Sequence, residues 1–240
     1  MNEPSNIPVY DSTPPASEPF YQVWIKALTK PNERTFAEIA ASPNAKMTTA
    51  LLWVAIGSLV SFFLSSLVQN AAMSNLMAQY GLPVQANSGI VSTLITAVCG
   101  APIVAIITAI FFAIGIYIFQ WIAKMFGGKG TPDQLAYAMA AIAAPVSIVS
   151  GVLGLLGAIP YIGFCFGLII LLIGIYVLVL EVMAIKGVNQ ISWGAAIGTL
   201  FIPSLVIFIF CCCLVGGVFL MLGPVIGNVF STINQSLGGY

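Results

Sequence analysis

Few residues in this chain are of a type that does chemistry. Glu181 is the one acidic side chain inside a long apolar stretch, and an ionisable group at membrane depth points to a proton or ion path. A relay needs several such groups, however, and only this one is present. Glu181 also lies about one turn from the end of its stretch, with Lys186 in reach of the same boundary, so an interfacial residue is the plainer reading. Cysteines stand at Cys99, Cys165 and in the run Cys211-Cys212-Cys213. Consecutive helical residues point ~100° apart, so the run cannot converge on one tetrahedral ion, and the chain has no histidine to complete a site. These cysteines read as small apolar helix residues without a disulfide framework. Gly127-Gly128-Lys129-Gly130-Thr131 has the composition of a phosphate loop. The Walker pattern wants Ser or Thr directly after Gly-Lys and a preceding strand, but Gly130 intervenes, so a flexible connector is expected. Ser/His pairs, zinc motifs and paired carboxylates are all missing from the sequence, which predicts no enzyme, no cofactor and no metal site.

The elements that must carry these residues follow from composition. Of 240 residues, 60% are apolar and 6% charged, against about 45–50% and about 25% in soluble domains. This is the composition of a membrane protein. Seven basic residues balance seven acidic ones, so there is no positive excess to hold nucleic acid phosphates. Nine of the fourteen charges fall in the first 46 positions, and 47–123, 134–180 and 187–240 carry none. A crossing uses about 20 helical residues, so the first two runs are each too long for one.

The sequence predicts an all-α bundle of five transmembrane helices, at 47–69, 101–123, 134–157, 163–185 and 194–222. Breaks are expected at Gln69 to Gly89, at Gly127 to Gly130, at Gly157 to Gly163 and at Lys186 to Gln190. Residues 88–100 are too short to cross alone and read either as an interfacial helix or, preferably, as an early extension of the second span, bent near Gly100 and Pro102. Pro145 and Pro203 fall inside spans and should kink them. With five crossings, Lys26, Lys30, Arg34, Lys46, Lys124, Lys129 and Lys186 all lie on one side, which the positive-inside rule makes cytoplasmic, with the C-terminus outside. Four or six spans would scatter them over both faces.

Residues 1–19, rich in proline, are expected to be disordered, and 20–46 to form short cytoplasmic or interfacial helices. The spans then cover 47–222, and 223–240 form a short tail. Phe20, Val23, Trp24, Ala27 and Leu28 make one apolar stripe, with Lys26 and Lys30 towards water. That helix would lie either in the headgroup region or against the bundle. Thr35-Phe36-Ala37-Glu38 and Thr131-Pro132-Asp133-Gln134 both fit a capping box, the second with proline at the first helical position. Ala136, Ala140 and Ala144, Gly163-x-x-x-Gly167 with Gly174, and Gly194-x-x-x-Gly198 supply the small residues through which membrane helices pack.

Three segments together resemble a known family. Trp24-Ile25-Lys26-Ala27-Leu28-Thr29-Lys30-Pro31 with Thr35-Phe36-Ala37-Glu38-Ile39 is similar to the opening segment of prokaryotic Yip1-domain proteins. Gly127-Gly128-Lys129-Gly130-Thr131 with Leu135-Ala136-Tyr137-Ala138 and Ala144-Pro145 looks like the family's loop and third span. Ala184-Ile185-Lys186-Gly187-Val188-Asn189-Gln190 followed by Ile191-Ser192-Trp193-Gly194-Ala195-Ala196 resembles its connection between the fourth and fifth spans. The likeness covers 24–222 and implies five spans with a cytoplasmic N-terminus. Eukaryotic members associate with Rab-type GTPases and with each other. Their Asp-Leu-Tyr-Gly-Pro-like motif is absent here, so the resemblance does not carry a GTPase partner over.

The expectation is therefore a non-enzymatic scaffold in a prokaryotic cell membrane, in contact with lipid, that recruits protein partners or self-associates through its helices. The alternative is a transporter or channel for a neutral or lipidic solute that uses Pro145 and Pro203 as moving parts. The residues singled out for either role are Glu181, Lys186, Pro145, Pro203, Gly163, Gly167, Gly194 and Gly198.

Overall fold

A computed structural model describes residues 18–81, 90–157 and 163–237. The disorder expected near the N-terminus, the last part of the first break and most of the third lie outside them. The described residues form α1 (Phe20–Thr29), α2 (Glu33–Ala40), α3 (Met47–Gln79), α4 (Ile90–Met125), α5 (Pro132–Gly157), α6 (Gly163–Asn189) and α7 (Trp193–Leu237), with no strand among them. The five long helices each contain a membrane-length apolar segment, at Met47–Val68, Thr93–Met125, Pro132–Gly157, Cys165–Asn189 and Trp193–Val215. The molecule is a polytopic all-α membrane protein.

Helix ends depart from span ends for a simple reason. Polarity ends a span, whereas glycine, proline and capping end a helix. From Gln69 onward the chain turns polar but stays helical to Gln79, and stops where Gly81 takes φ +64°, a conformation that needs no Cβ. The break expected at Gln69 thus begins at Tyr80, eleven residues later. Residues 90–100 do extend the second span, and α4 runs on through Pro102. α7 continues past 222, through Pro224, to Leu237.

The tail helices pack on the bundle. Val23 and Ala27 are buried, the Trp24 and Trp53 rings meet edge to face at 5.7 Å, and the Tyr176 hydroxyl donates to the Leu28 carbonyl at 2.6 Å. Lys26 does not point to water as expected. It lies against α2 and pairs with Glu38 at 3.2 Å and Glu18 at 3.4 Å. The first capping box is also corrected. The N-cap of α2 is Asn32, whose side chain accepts from the Arg34 N–H at 3.1 Å, leaving Thr35 buried inside the helix and Glu38 free for Lys26 and Arg34. Asparagine caps better than threonine, and this start puts Glu33 in the first turn, where the helix dipole favours it.

The second capping box forms as expected. Gln134 N–H donates to Thr131 Oγ1 at 3.3 Å, and Thr131 N–H to Gln134 Oε1 at 3.1 Å.

Large buried side chains gather at one end. Phe36, Ile116, Leu135, Tyr137, Leu180 and Ile185 are all nearly inaccessible, and they come from α2, the end of α4, the start of α5 and the end of α6. Farther along, α3 is held by seams of small residues. A Cβ on Gly57 would stand 2.9 Å from the Ala144 carbonyl of α5, and one on Gly151 would stand 2.9 Å from the Ser61 Cα. Thr93, Ala97, Ala101 and Ala105 form a buried four-residue repeat on α4, which packs on α3. The expected glycine pairs of α6 and α7 do not serve this purpose. Gly167, Gly174 and Gly194 face open space, Gly163 sits by the Gly157 carbonyl at the turn, and Gly198 alone meets another helix, through Phe126.

Candidate functional site

The three separated sequence segments meet at one end of the bundle. There α1, α2, the loop between α4 and α5, and the corner between α6 and α7 form one platform.

The contact of α2 with α6 is built from Glu33, Lys186 and Gly187. Lys186 Nζ pairs with the Glu33 carboxylate and stands 4.7 Å above the Trp193 ring. Gly187 brings the α6 backbone against the Glu33 carbonyl, and a Cβ there would overlap that oxygen. Glycine is required at this position by close approach, although its backbone is ordinary helix. Of the two residues expected near the same boundary, Lys186 serves Glu33, and among the described residues no ion pair joins it to Glu181, which stays half-buried on α6.

The loop expected to be flexible is clamped. α4 ends in a Schellman motif, with Gly127 at φ +84°, Gly128 N–H donating to the Ala123 carbonyl at 2.8 Å and Gly127 N–H to the Lys124 carbonyl at 3.0 Å. Gln120, 2% exposed, then ties the loop to α6. Its Nε2 donates to the Gly130 carbonyl at 2.6 Å and to Asn189 Oδ1 at 2.8 Å. Asn189, fully buried, donates through Nδ2 to the Ile185 carbonyl at 3.1 Å and accepts the Lys129 N–H on its own carbonyl at 3.0 Å. Turning either amide over would set oxygen against oxygen, so the orientation is fixed by the network. A Cβ at Gly128 or Gly130 would stand 2.9 or 2.8 Å from Asn189 Oδ1, which is why this loop carries glycine.

Two further ties close the platform. Asp133 Oδ1 accepts the Met47 N–H at 2.9 Å, so the start of α5 caps α3 across 86 positions of sequence. Trp53 packs on Tyr137 with ring centroids 4.7 Å apart, extending the Trp24 contact into α5. Beside these, Gln190 ends α6 at φ 56°, a left-handed conformation that costs a residue with a Cβ roughly 1–2 kcal/mol.

Outside the platform stand the other singled-out residues. Pro145 follows the close approach of α3 to α5, and Pro203 lines an apolar groove between α4 and α7. All five cysteines are exposed and unpaired, spread over apolar helix surfaces. Sequence reasoning missed Gln120 and Asn189 as partners. Gln120 is a lone amide in an apolar run and Asn189 stands with Gln190 at the end of another, and a buried amide needs a partner. That signal was present, but it does not say which residue the partner is.

Electrostatics on the platform are local. The Lys26 ammonium, hydrogen-bonded to Glu38, and then the Arg34 guanidinium hold the Glu38 carboxyl below the usual carboxylate range, against a smaller opposing effect of burial.

Comparison with curated proteins and with solved structures returned no match. The model of the Yip1 domain matches residues 25–229, from the second turn of α1 into the last turns of α7. The chain belongs to the Yip1 domain family.

Proposed function

We propose that this Yip1-domain membrane protein is a non-enzymatic scaffold that recruits protein partners to the platform at its basic end. The observation that carries the reading is how the platform's polar groups are used. Glu33, Lys186, Gln120, Asn189 and Asp133 are bound to one another or to backbone, so they hold a shape. What the platform offers outward is a surface in which Phe20, Tyr21 and Ile25 of α1 are each more than half exposed.

We take this end to be cytoplasmic. All seven basic residues lie on its elements, and basic residues gather on the cytoplasmic side of membranes. A prokaryotic cell membrane and a C-terminus outside the cytoplasm complete the reading. The partner is a protein, with the absent Asp-Leu-Tyr-Gly-Pro-like motif speaking against a Rab-type GTPase, or a second copy meeting the first through the helices.

A photo-crosslinking residue in place of Tyr21 or Ile25, in cells, should give discrete protein adducts. Lipid adducts alone would remove partner recruitment. In liposomes the purified chain should pass no neutral solute, and reproducible flux that disappears in Pro145→Ala would replace the scaffold with a transporter.

A further inference from the structure

The ends of α4 and α7 nearest the platform touch but do not seal. Phe126 lies against Gly198, with its ring 3.5 Å from where a Cβ would stand. Next to this contact a groove of about 490 Å³ opens between the two helices, lined by Ile118, Trp121, Met125, Ile202, Pro203 and Val206 among others, all of them apolar. Its size falls in the range of about 300–1,000 Å³ typical of small-molecule sites. From Ile118 to Phe126 a helix rises ~12 Å, most of the roughly 15 Å of one hydrocarbon leaflet. The groove thus runs along the chain direction of a lipid in the leaflet next to the platform.

Charge decides what kind of lipid. Lys26, Arg34 and Lys186 are matched to carboxylates within the platform. Among the described residues no ion pair reaches Lys124 or Lys129, and both are exposed. Lys124 is on the same turn of α4 as Trp121 and Met125. Lys129 follows Phe126 by three residues, in the loop whose backbone is pinned to Asn189. Two cations therefore stand where the groove meets the headgroup level, one on a helix and one on a clamped loop. No acidic side chain lines the groove.

The geometry points to a binding site for an anionic phospholipid, with an acyl chain along the groove between α4 and α7 and the phosphate beside Lys124 and Lys129. An acyl chain gains little by leaving other lipid for an apolar groove, so the groove fixes position and the lysines select the headgroup. A basic side chain near an anionic headgroup is worth about fivefold in affinity, before screening.

The test is native mass spectrometry of the full-length protein in nonionic detergent, with equal amounts of phosphatidylglycerol and phosphatidylcholine added. Phosphatidylglycerol should be retained at least fivefold over phosphatidylcholine. Lys124→Gln with Lys129→Gln should bring that ratio near one. Val206→Trp, at a position 60% exposed and so outside the packed core, should fill the groove and lower retention of both lipids severalfold with the lysines intact. Equal retention of the two lipids by the unmodified chain would overturn the site, as would a preference that survives loss of both lysines. Undiminished retention in Val206→Trp would place the lipid elsewhere, and a dimer that seals the groove would give it to a second copy.

Discussion

Gly187 and Gly167 belong to the same helix and to opposite circumstances. Ala at 187 puts a methyl against the Glu33 carbonyl, and overpacking of this kind costs typically about 1–3 kcal/mol. Gly187→Ala should therefore lower the thermal midpoint in detergent and open the segment around Arg34 to protease. Gly167→Ala meets nothing within 4 Å and should change stability little, or raise it by up to about 1 kcal/mol through helix propensity. A second pair tests the clamp. Gln120→Leu and Asn189→Leu each strand a buried polar group and should each cost about 1–3 kcal/mol, while the double variant should cost less than their sum. Strict additivity in chemical denaturation would mean that the two amides do not work as a unit. At this scale the sequence was legible where a residue's reason is local. Gly127 could be seen as a helix terminator, but Gly187 could not, because its neighbour lies far away in sequence on α2.

Among the elements, α5 was the most readable, since Thr131, Pro132 and Gln134 specify its start within four residues. α2 was misread because two acceptable caps, Asn32 and Thr35, stand three positions apart, and the choice depends on where Glu33 and Glu38 find cations. That dependence has a pH signature. The Glu38 carboxyl is held below its usual range when folded, so its contribution to docking α1 on α2 is complete above the unfolded value of about 4.3 and is lost as pH falls through the lower folded value. Intrinsic fluorescence, taken as the signal lost in Trp24→Phe, should show the α1 contact loosening between about pH 4.3 and more acid conditions. Glu38→Gln should flatten that change, and salt should weaken it, because the carboxyl is about half exposed. An identical acid transition in Glu38→Gln would assign it to other groups.

For the whole molecule, hydropathy and the placement of seven basic residues were enough to read five spans and one basic end. What they could not show is which parts of the bundle pack together. In lipid, an apolar side chain loses little by staying exposed, so core-facing and lipid-facing positions have similar compositions. Ile116 and Ile110, both in the uncharged run of α4, illustrate this: one is 1% exposed and the other 54%, yet no contrast of polar and apolar neighbours separates them. The topology has a direct test. Reporter fusions after Gly130 and at the C-terminus should report opposite sides of the membrane, and the same side for both would remove the five-span arrangement.

The concentration of large core side chains at the platform also bears on the membrane itself. α6 from 165 to 179 is largely exposed and α7 from 204 to 215 entirely so, while both helices are gripped at their platform ends. A helix held at one end can change tilt with bilayer thickness, at a cost of fractions of a kcal/mol per Å. The platform would then keep one shape in thick and thin bilayers, with the adjustment taken up by the far halves of the last two helices.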